Sequence, residues 1–295
     1  MTPNGHVHVA ATDGTVTALG PDGRFRWSYD VGASVQGALA VAGDVTYVGT
    51  AEGRIVALKS NGQKLWSYRV RTPVLSDLVV GKDGVVRFAG ADGVVYAVTA
   101  RGGAAWSRAL RDRVSAGPCL GSNDSVLVGT TSGRIVWIDA FGRKRDVRVR
   151  AGILQQEWGG ERCVYAVSGS DLLALDEDGT VRWRVPRVRA FAVAAGRVVA
   201  AESGGRLSWW TAAGRLEQVV ETAERPSDVP VVAADGTVYV PTETGTVLVV
   251  EDGRVAERVE VGRAAVLRPR LDARQGQLVA VAGDGVVVGV ATGDR

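Results

Sequence analysis

The sequence predicts an all-β fold, a single β-propeller of four-stranded antiparallel blades spanning residues 1–295. Two observations carry the prediction. The first is a fixed period. Glycines open successive copies of one strand–turn–strand unit at Gly14, Gly53, Gly93, Gly133, Gly169, Gly205, Gly245 and Gly285, in steps of 39, 40, 40, 36, 36, 40 and 40 residues. A period near 40 filled with strand-like segments is the signature of a propeller. The second is the pattern inside each copy. In the stretch GRIVALKSNGQKLW from Gly53 to Trp66, Ile55 and Ala57 alternate with Val56 and Leu58, as along a strand with two faces. Ser60-Asn61-Gly62 makes the turn, because Asn and Gly tolerate positive φ, and Lys64-Leu65-Trp66 begins the return strand. Gly133-Arg134-Ile135-Val136 repeats Gly53-Arg54-Ile55-Val56 letter for letter, and no helical stripe of useful length competes with the strands.

A regular aromatic fixes the alignment of the copies. In four of them an Ala lies five residues before the turn glycine and a Trp four residues after it: Ala18/Gly23/Trp27, Ala57/Gly62/Trp66, Ala97/Gly102/Trp106 and Ala174/Gly179/Trp183. In two others Asp146 and Gln218 stand where that Trp belongs, and the Ala position is itself Trp137 or Trp209. The expectation is one aromatic slot per blade, filled from either strand of the hairpin so that volume is roughly kept. Trp27, Trp66, Trp106, Trp137, Trp183 and Trp209 are therefore assigned to blade packing. If the slot is buried, Trp66→Ala should cost roughly 3–5 kcal/mol.

This motif resembles the tryptophan-docking repeat Ala-x-Asp-x-x-x-Gly-x-x-x-Trp of quinoprotein alcohol dehydrogenases, with loops here mostly one residue shorter. The closer resemblance is to the wider family of PQQ-like propeller repeats, which includes the non-catalytic BamB type. It covers nearly the whole chain and is specific for fold. It implies four strands per blade, A innermost to D outermost, and a periplasmic or secreted home.

In chain order, the first unit has a B strand from His6 to Thr12, a C strand from Gly14 and a D strand ending near Trp27. The next blade is predicted at 35–41, 44–50, 53–58 and 63–68, and the one after it at 75–80, 85–89, 93–98 and 104–110. Four more end near Val149, Val185, Val220 and Val261, and the last unit has three strands before Arg295. The thirty strands fit eight blades with the first and last incomplete better than seven, which would leave two apolar strands over. A missing inner strand would leave a ladder edge open, so either the natural chain continues or a strand from another chain completes the blade.

Composition narrows the function classes. At 46% hydrophobic and 23% charged residues the chain is an ordinary globular one, and a net charge of +3 gives no broad attraction to nucleic acid or membrane. There is no apolar run of roughly 18 residues for a membrane span. The start MTPNGHVHVAAT has neither the basic end nor the apolar core of a signal peptide, which leaves a cytoplasmic home open beside the one that the resemblance implies. Cys119 and Cys163 read as small buried residues, and nothing in their spacing favours a bond.

Few groups point to chemistry. His6 and His8 share one strand face, but no other histidine exists to complete a metal site or a Ser/His/Asp set. Asp176-Glu177-Asp178-Gly179 occupies a hairpin turn without the ligand alternation of a calcium loop, so no metal site and no cofactor are expected. In a propeller the loops entering the inner strands ring the mouth of the central channel. Gln36, Asp77, Gln155, Gln156, Glu157, Trp158, Arg189, Asp228, Arg268 and Arg270 hold those entries here and are the candidate binding residues, with Trp158 able to stack on a partner or plug the channel.

Three readings of function follow. One is a non-catalytic scaffold that binds a protein partner through its rim loops. A second is a relative of the quinoprotein dehydrogenases binding PQQ and calcium, although the adjacent cysteines of that class are missing. A third is the ligand-sensing domain of a larger receptor. The first is preferred, because no catalytic set can be assembled.

Overall fold

The computed structural model describes residues 5–291 except 38, 150–151, 159–162, 177, 273–276 and 284–285, and leaves the side chains of 154, 158, 267–272, 277, 290 and 291 outside its description. Gly285, one of the repeat glycines, lies outside the described residues. The chain divides into two compact units, Met1–Trp158 and Gly159–Arg295.

In the first unit, β1 (Val7–Ala10), β2 (Thr15–Leu19) and β3 (Phe25–Asp30) form a three-stranded sheet. Three four-stranded sheets follow, each in chain order. They are β4 (Ala40–Ala42), β5 (Val45–Gly49), β6 (Arg54–Lys59) and β7 (Lys64–Arg69); β8 (Val79–Val80), β9 (Val86–Ala89), β10 (Val94–Val98) and β11 (Ala104–Ala109); and β12 (Val114–Leu120), β13 (Val126–Thr130), β14 (Arg134–Ile138) and β15 (Lys144–Arg148). The unit ends with β16 (Ile153–Trp158). The second unit begins with β17 (Cys163–Ser168), β18 (Asp171–Asp176) and β19 (Val181–Pro186). It continues with β20 (Val188–Ala194), β21 (Arg197–Glu202), β22 (Arg206–Thr211) and β23 (Leu216–Glu221), then β24 (Val231–Val232), β25 (Val238–Pro241), β26 (Thr246–Glu251) and β27 (Arg254–Glu260). It ends with β28 (Val266–Asp272), β29 (Gln277–Ala282) and β30 (Val287–Ala291). The strands thus fall into eight blades, the count that the sequence favours over seven.

Two of the inner strands are shorter than expected. Where the sequence predicts a strand over 35–41, β4 starts only at Ala40, and β8 is reduced to Val79–Val80. The cause is the close approach of successive inner loops. A Cβ on Gly37 would lie 2.3 Å from the Ser76 carbonyl oxygen, so this stretch is pressed against the next blade's loop and is not laddered along its own sheet.

The glycine period has a double cause. Gly53 sits at φ +78°, and a Cβ there would come within 2.5 Å of the carbonyls of Val70 and Thr72. Gly93 repeats this at φ +73°, 2.2 Å from the Asp112 carbonyl. Each such glycine turns the chain between two middle strands and also receives the linker that leaves the outer strand, through Val70 N–H to Gly53 O at 2.8 Å and Leu110 N–H to Gly93 O at 2.9 Å. No residue with a side chain meets both demands.

Burial grades outward across a blade. Ile55, Val56, Ala57 and Leu58 of β6 are all buried, because blades cover both faces of the middle strands, and such strands read as continuous apolar runs. Outer strands such as β7 and β11 alternate exposed and half-buried residues. Tyr47, Ile55, Val74, Val86 and Phe88 form one cluster shared between consecutive blades.

The tryptophans divide into two kinds. Within each hairpin Ala57 pairs with Trp66, Ala97 with Trp106 and Ala174 with Trp183, beside a bulge. The rings, however, rest on the following repeat. Trp27 Nε1–H donates to Ser60 O at 2.7 Å, Trp66 to Ala100 O at 2.8 Å, Trp106 to Ala140 O at 2.9 Å and Trp183 to Ala212 O at 2.9 Å. In the same four contacts the turn glycine of that repeat lies under the ring: a Cβ on Gly62, Gly102, Gly142 or Gly214 would meet the indole within 3.1 Å. These four rings are half-buried, which corrects the expectation of a closed slot within one hairpin. Trp137 and Trp209 are 7% and 8% exposed and are thus buried where the other four are not. Trp209 packs with Leu207, Val220, Val238 and Leu248. Trp137 pairs across the hairpin with Arg145, one residue before the expected Asp146, because β14 and β15 run without the bulge of the other hairpins.

Candidate functional site

The inner-strand entries of the first unit hold groups of different availability. Gln36 is exposed on the loop before β4. Asp77 is half-buried before β8, beside Ser76, whose hydroxyl lies 3.0 Å from the carbonyl oxygens of Asp77 and Ala89 and accepts Ala89 N–H at 2.9 Å. Gln155 and Glu157 are half-buried within β16, a strand position where the sequence suggests a loop. Gln156, between them, points inward and is 6% exposed. Its amide donates to Gly117 O and, at 3.4 Å, to Leu127 O, so it ties β16 to the preceding blade. Oε1 of the same amide is buried with no partner. The side chains of Trp158, Arg268 and Arg270 lie outside the described residues.

In the second unit Arg189, exposed on β20, forms an ion pair with Glu243 at 2.5 Å. Asp228 is half-buried in the loop before β24 and accepts Val229 N–H at 2.7 Å. Sequence reasoning missed Glu243, which is 54 residues from its partner and sits in a turn between two middle strands. It missed two serines as well: Ser115 donates to Ile153 O and Ser227 to Val266 O, each joining one repeat's inner segment to the next. A serine alone is too common in such sequences to be read as a contact.

The titrating groups act structurally. Burial chiefly, with like charge nearby, lowers His8 from 6.5 to about 4, and its Nδ1 lies 2.5 Å from Thr46 Oγ1. Burial raises the Cys163 thiol, and no disulfide joins Cys119 to Cys163. Glu224 is held below its usual range because hydrogen bonds from Thr244, Thr246 and Arg258 outweigh its desolvation. Asp176 is engaged with Arg182 at a hairpin end. Among the described residues no group of three His, Cys, Asp or Glu side chains gathers to hold a metal ion. No helix among them is long and apolar enough to cross a membrane.

Within each unit the described inner-strand entries thus carry polar side chains. The chain matches a known family. The model described as outer membrane protein assembly factor BamB matches residues 12–142 and 91–216. The crystal structure of BamB from Moraxella catarrhalis superimposes with a TM-score of 0.82 at 19% identity, over 98% of this chain and 94% of that one. The computationally designed Ika8 protein gives a TM-score of 0.86 at 17% identity, over 99% and 94%. These likenesses show the β-propeller fold. No curated protein sequence matches the chain.

Proposed function

The chain belongs to the family described as outer membrane protein assembly factor BamB, and on that premise we propose that it is a non-catalytic propeller that holds a protein partner. The observation that carries the reading is the family match over residues 12–216, joined to inner-strand entries that carry polar groups. Gln36, Asp77, Gln155 and Glu157 in the first unit, and Arg189 and Asp228 in the second, are the proposed contacts. Gln156 serves instead to fix β16. An assembly role of the family's kind implies a periplasmic or secreted home.

A thermal unfolding scan with and without PQQ plus Ca²⁺ tests the non-catalytic part. A ligand at 100 times its Kd adds about 2.7 kcal/mol, which moves Tm by about 4 °C in a domain of this size. The expected result is no shift. A saturable shift that needs both components would replace this reading with a quinoprotein one.

A further inference from the structure

The first unit carries a cleft of about 400 Å³ at the junction of two repeats, lined by none of the candidate binding residues named from the sequence. Arg111 and Asp112 reach it from the linker after β11, Ser132 and Arg134 from the turn into β14, and Lys144 and Arg148 from β15. Four cations thus line it against one carboxylate.

That carboxylate is already engaged. Asp112 accepts from Ser132 Oγ, from Thr131 Oγ1 at 3.2 Å, from Arg113 N–H at 2.8 Å and from Arg134 Nε and Nη2 at 3.4 Å each. Desolvation opposes its ionisation, but the donors win and hold it well below the carboxylate range. Asp146 adds a second carboxylate to Arg134 at 3.5 Å, and Lys144 donates to Ala109 O at 3.1 Å. Arg111 and Arg148 are exposed, and their guanidinium groups have no hydrogen bond or ion pair among the described residues.

Two further features mark the cleft. Arg148 is the direct cross-strand partner of Arg134, a like-charge pairing that an anion would relieve. Arg111 stands at φ +55°, in the left-handed region that favours glycine, and the first repeat has Gly32, φ +71°, at the matching place. The match is structural: Val31 N–H bonds Gly14 O just before Gly32, as Leu110 N–H bonds Gly93 O just before Arg111.

We propose that this cleft takes the carboxylates of an acidic peptide segment of a protein partner. Two unengaged guanidinium forks on a shallow, exposed surface suit side-chain carboxylates presented in a row, which each fork can grip in bidentate fashion. The occupant's class rests on the protein-binding reading above; the anion site itself does not.

The test is titration of a fluorescent hexaglutamate peptide with the full chain at about 0.05 M and about 0.5 M salt. The expected result is saturable binding at low salt that weakens at high salt. Arg111→Gly/Arg148→Ala should weaken it about fivefold or more, while the exposed-site control Arg24→Ala leaves it unchanged. The glycine suits the left-handed backbone, so loss of binding with an unchanged or raised Tm separates recognition from folding. Equal binding by the double variant, or no binding at low salt, would overturn the proposal. So would capture of phosphatidylglycerol vesicles through these arginines with no peptide binding, which would assign the cleft to a lipid headgroup. Peptide binding that persists when no partner is found at the inner-strand entries would leave the cleft standing and remove only the loop reading.

Discussion

Two sets of tryptophans occupy related places in the same repeat and do different work. Trp27, Trp66, Trp106 and Trp183 stand on outer strands, half-buried, and each lies on the turn glycine of the following repeat with its N–H on a carbonyl two residues earlier. Trp137 and Trp209 stand one strand further in and are buried, Trp209 against Val238 and Leu248 of the following blade. The exchange of a small residue for a large one keeps volume within a hairpin, but it moves the aromatic from a half-buried outer contact to a buried core position. Where the outer Trp is absent, another side chain can take over the turn. A Cβ on Gly253 would meet Gln218 Nε2 at 2.6 Å, so the glutamine amide covers that glycine as an indole does elsewhere.

The contrast is sharpest in the cost of truncation. Trp209→Ala removes a buried ring from a closed cluster and should destabilise by about 3–5 kcal/mol in chemical denaturation. Trp66→Ala removes a half-buried ring and one hydrogen bond, and should cost about 2 kcal/mol. Equal costs would break the distinction between the two sets. Gly102→Ala, at φ +82° and with its Cβ 2.9 Å from the Trp66 ring, should cost about 1–3 kcal/mol. Because part of that cost is the collision with Trp66, the double variant should be less destabilised than the two single costs together; strict additivity would show that the ring and the glycine do not interact.

Smaller effects refine the picture. The Arg145 guanidinium lies 5.0 Å from the Trp137 ring centroid, so Arg145→Ala should cost about 0.5–1 kcal/mol at this exposed site. Last comes a pH dependence at Trp27, whose ring meets the edge of His8 at 5.0 Å. His8 titrates at about 4 in the folded chain against 6.5 ordinarily. The unfolded chain therefore takes up its proton first, and this contribution to stability is full above 6.5 and declines as pH falls toward 4. Unfolding measured at pH values on either side of 6.5 should show that decline in the wild type and a weaker one in His8→Leu.

Much of the fold was legible because its demands fall on single residues. The glycine period reads directly, since positive φ and the incoming linker leave no room for a side chain at Gly53 or Gly93. The Ala–Trp reciprocity reads as well, but not where the ring points, because a volume argument within one hairpin is blind to the next repeat. The inner strands β4 and β8 were over-extended, since an apolar residue such as Val35 can be buried among Val16, Val48, Val56 and Leu58 without joining a ladder. The missing bulge at β14 and β15 had no signature, because the loop from Trp137 to Asp146 has the same length as the bulged ones. The candidate site was less legible still. Polar residues could be placed near inner-strand entries, but the inward turn of Gln156 and the pairing of Arg189 with Glu243 depend on residues far away in sequence.

The central claim, that the inner-strand entries hold a protein partner, is tested most directly by photo-crosslinking in the cells that make the protein. A benzophenone amino acid replaces Gln36 on the loop before β4 in one variant, and Gln63 on an outer hairpin turn in another, both exposed positions. The account predicts a discrete protein adduct from position 36 and none from position 63. Adducts from position 63 alone, the same adducts from both positions, or no adduct from either would contradict it.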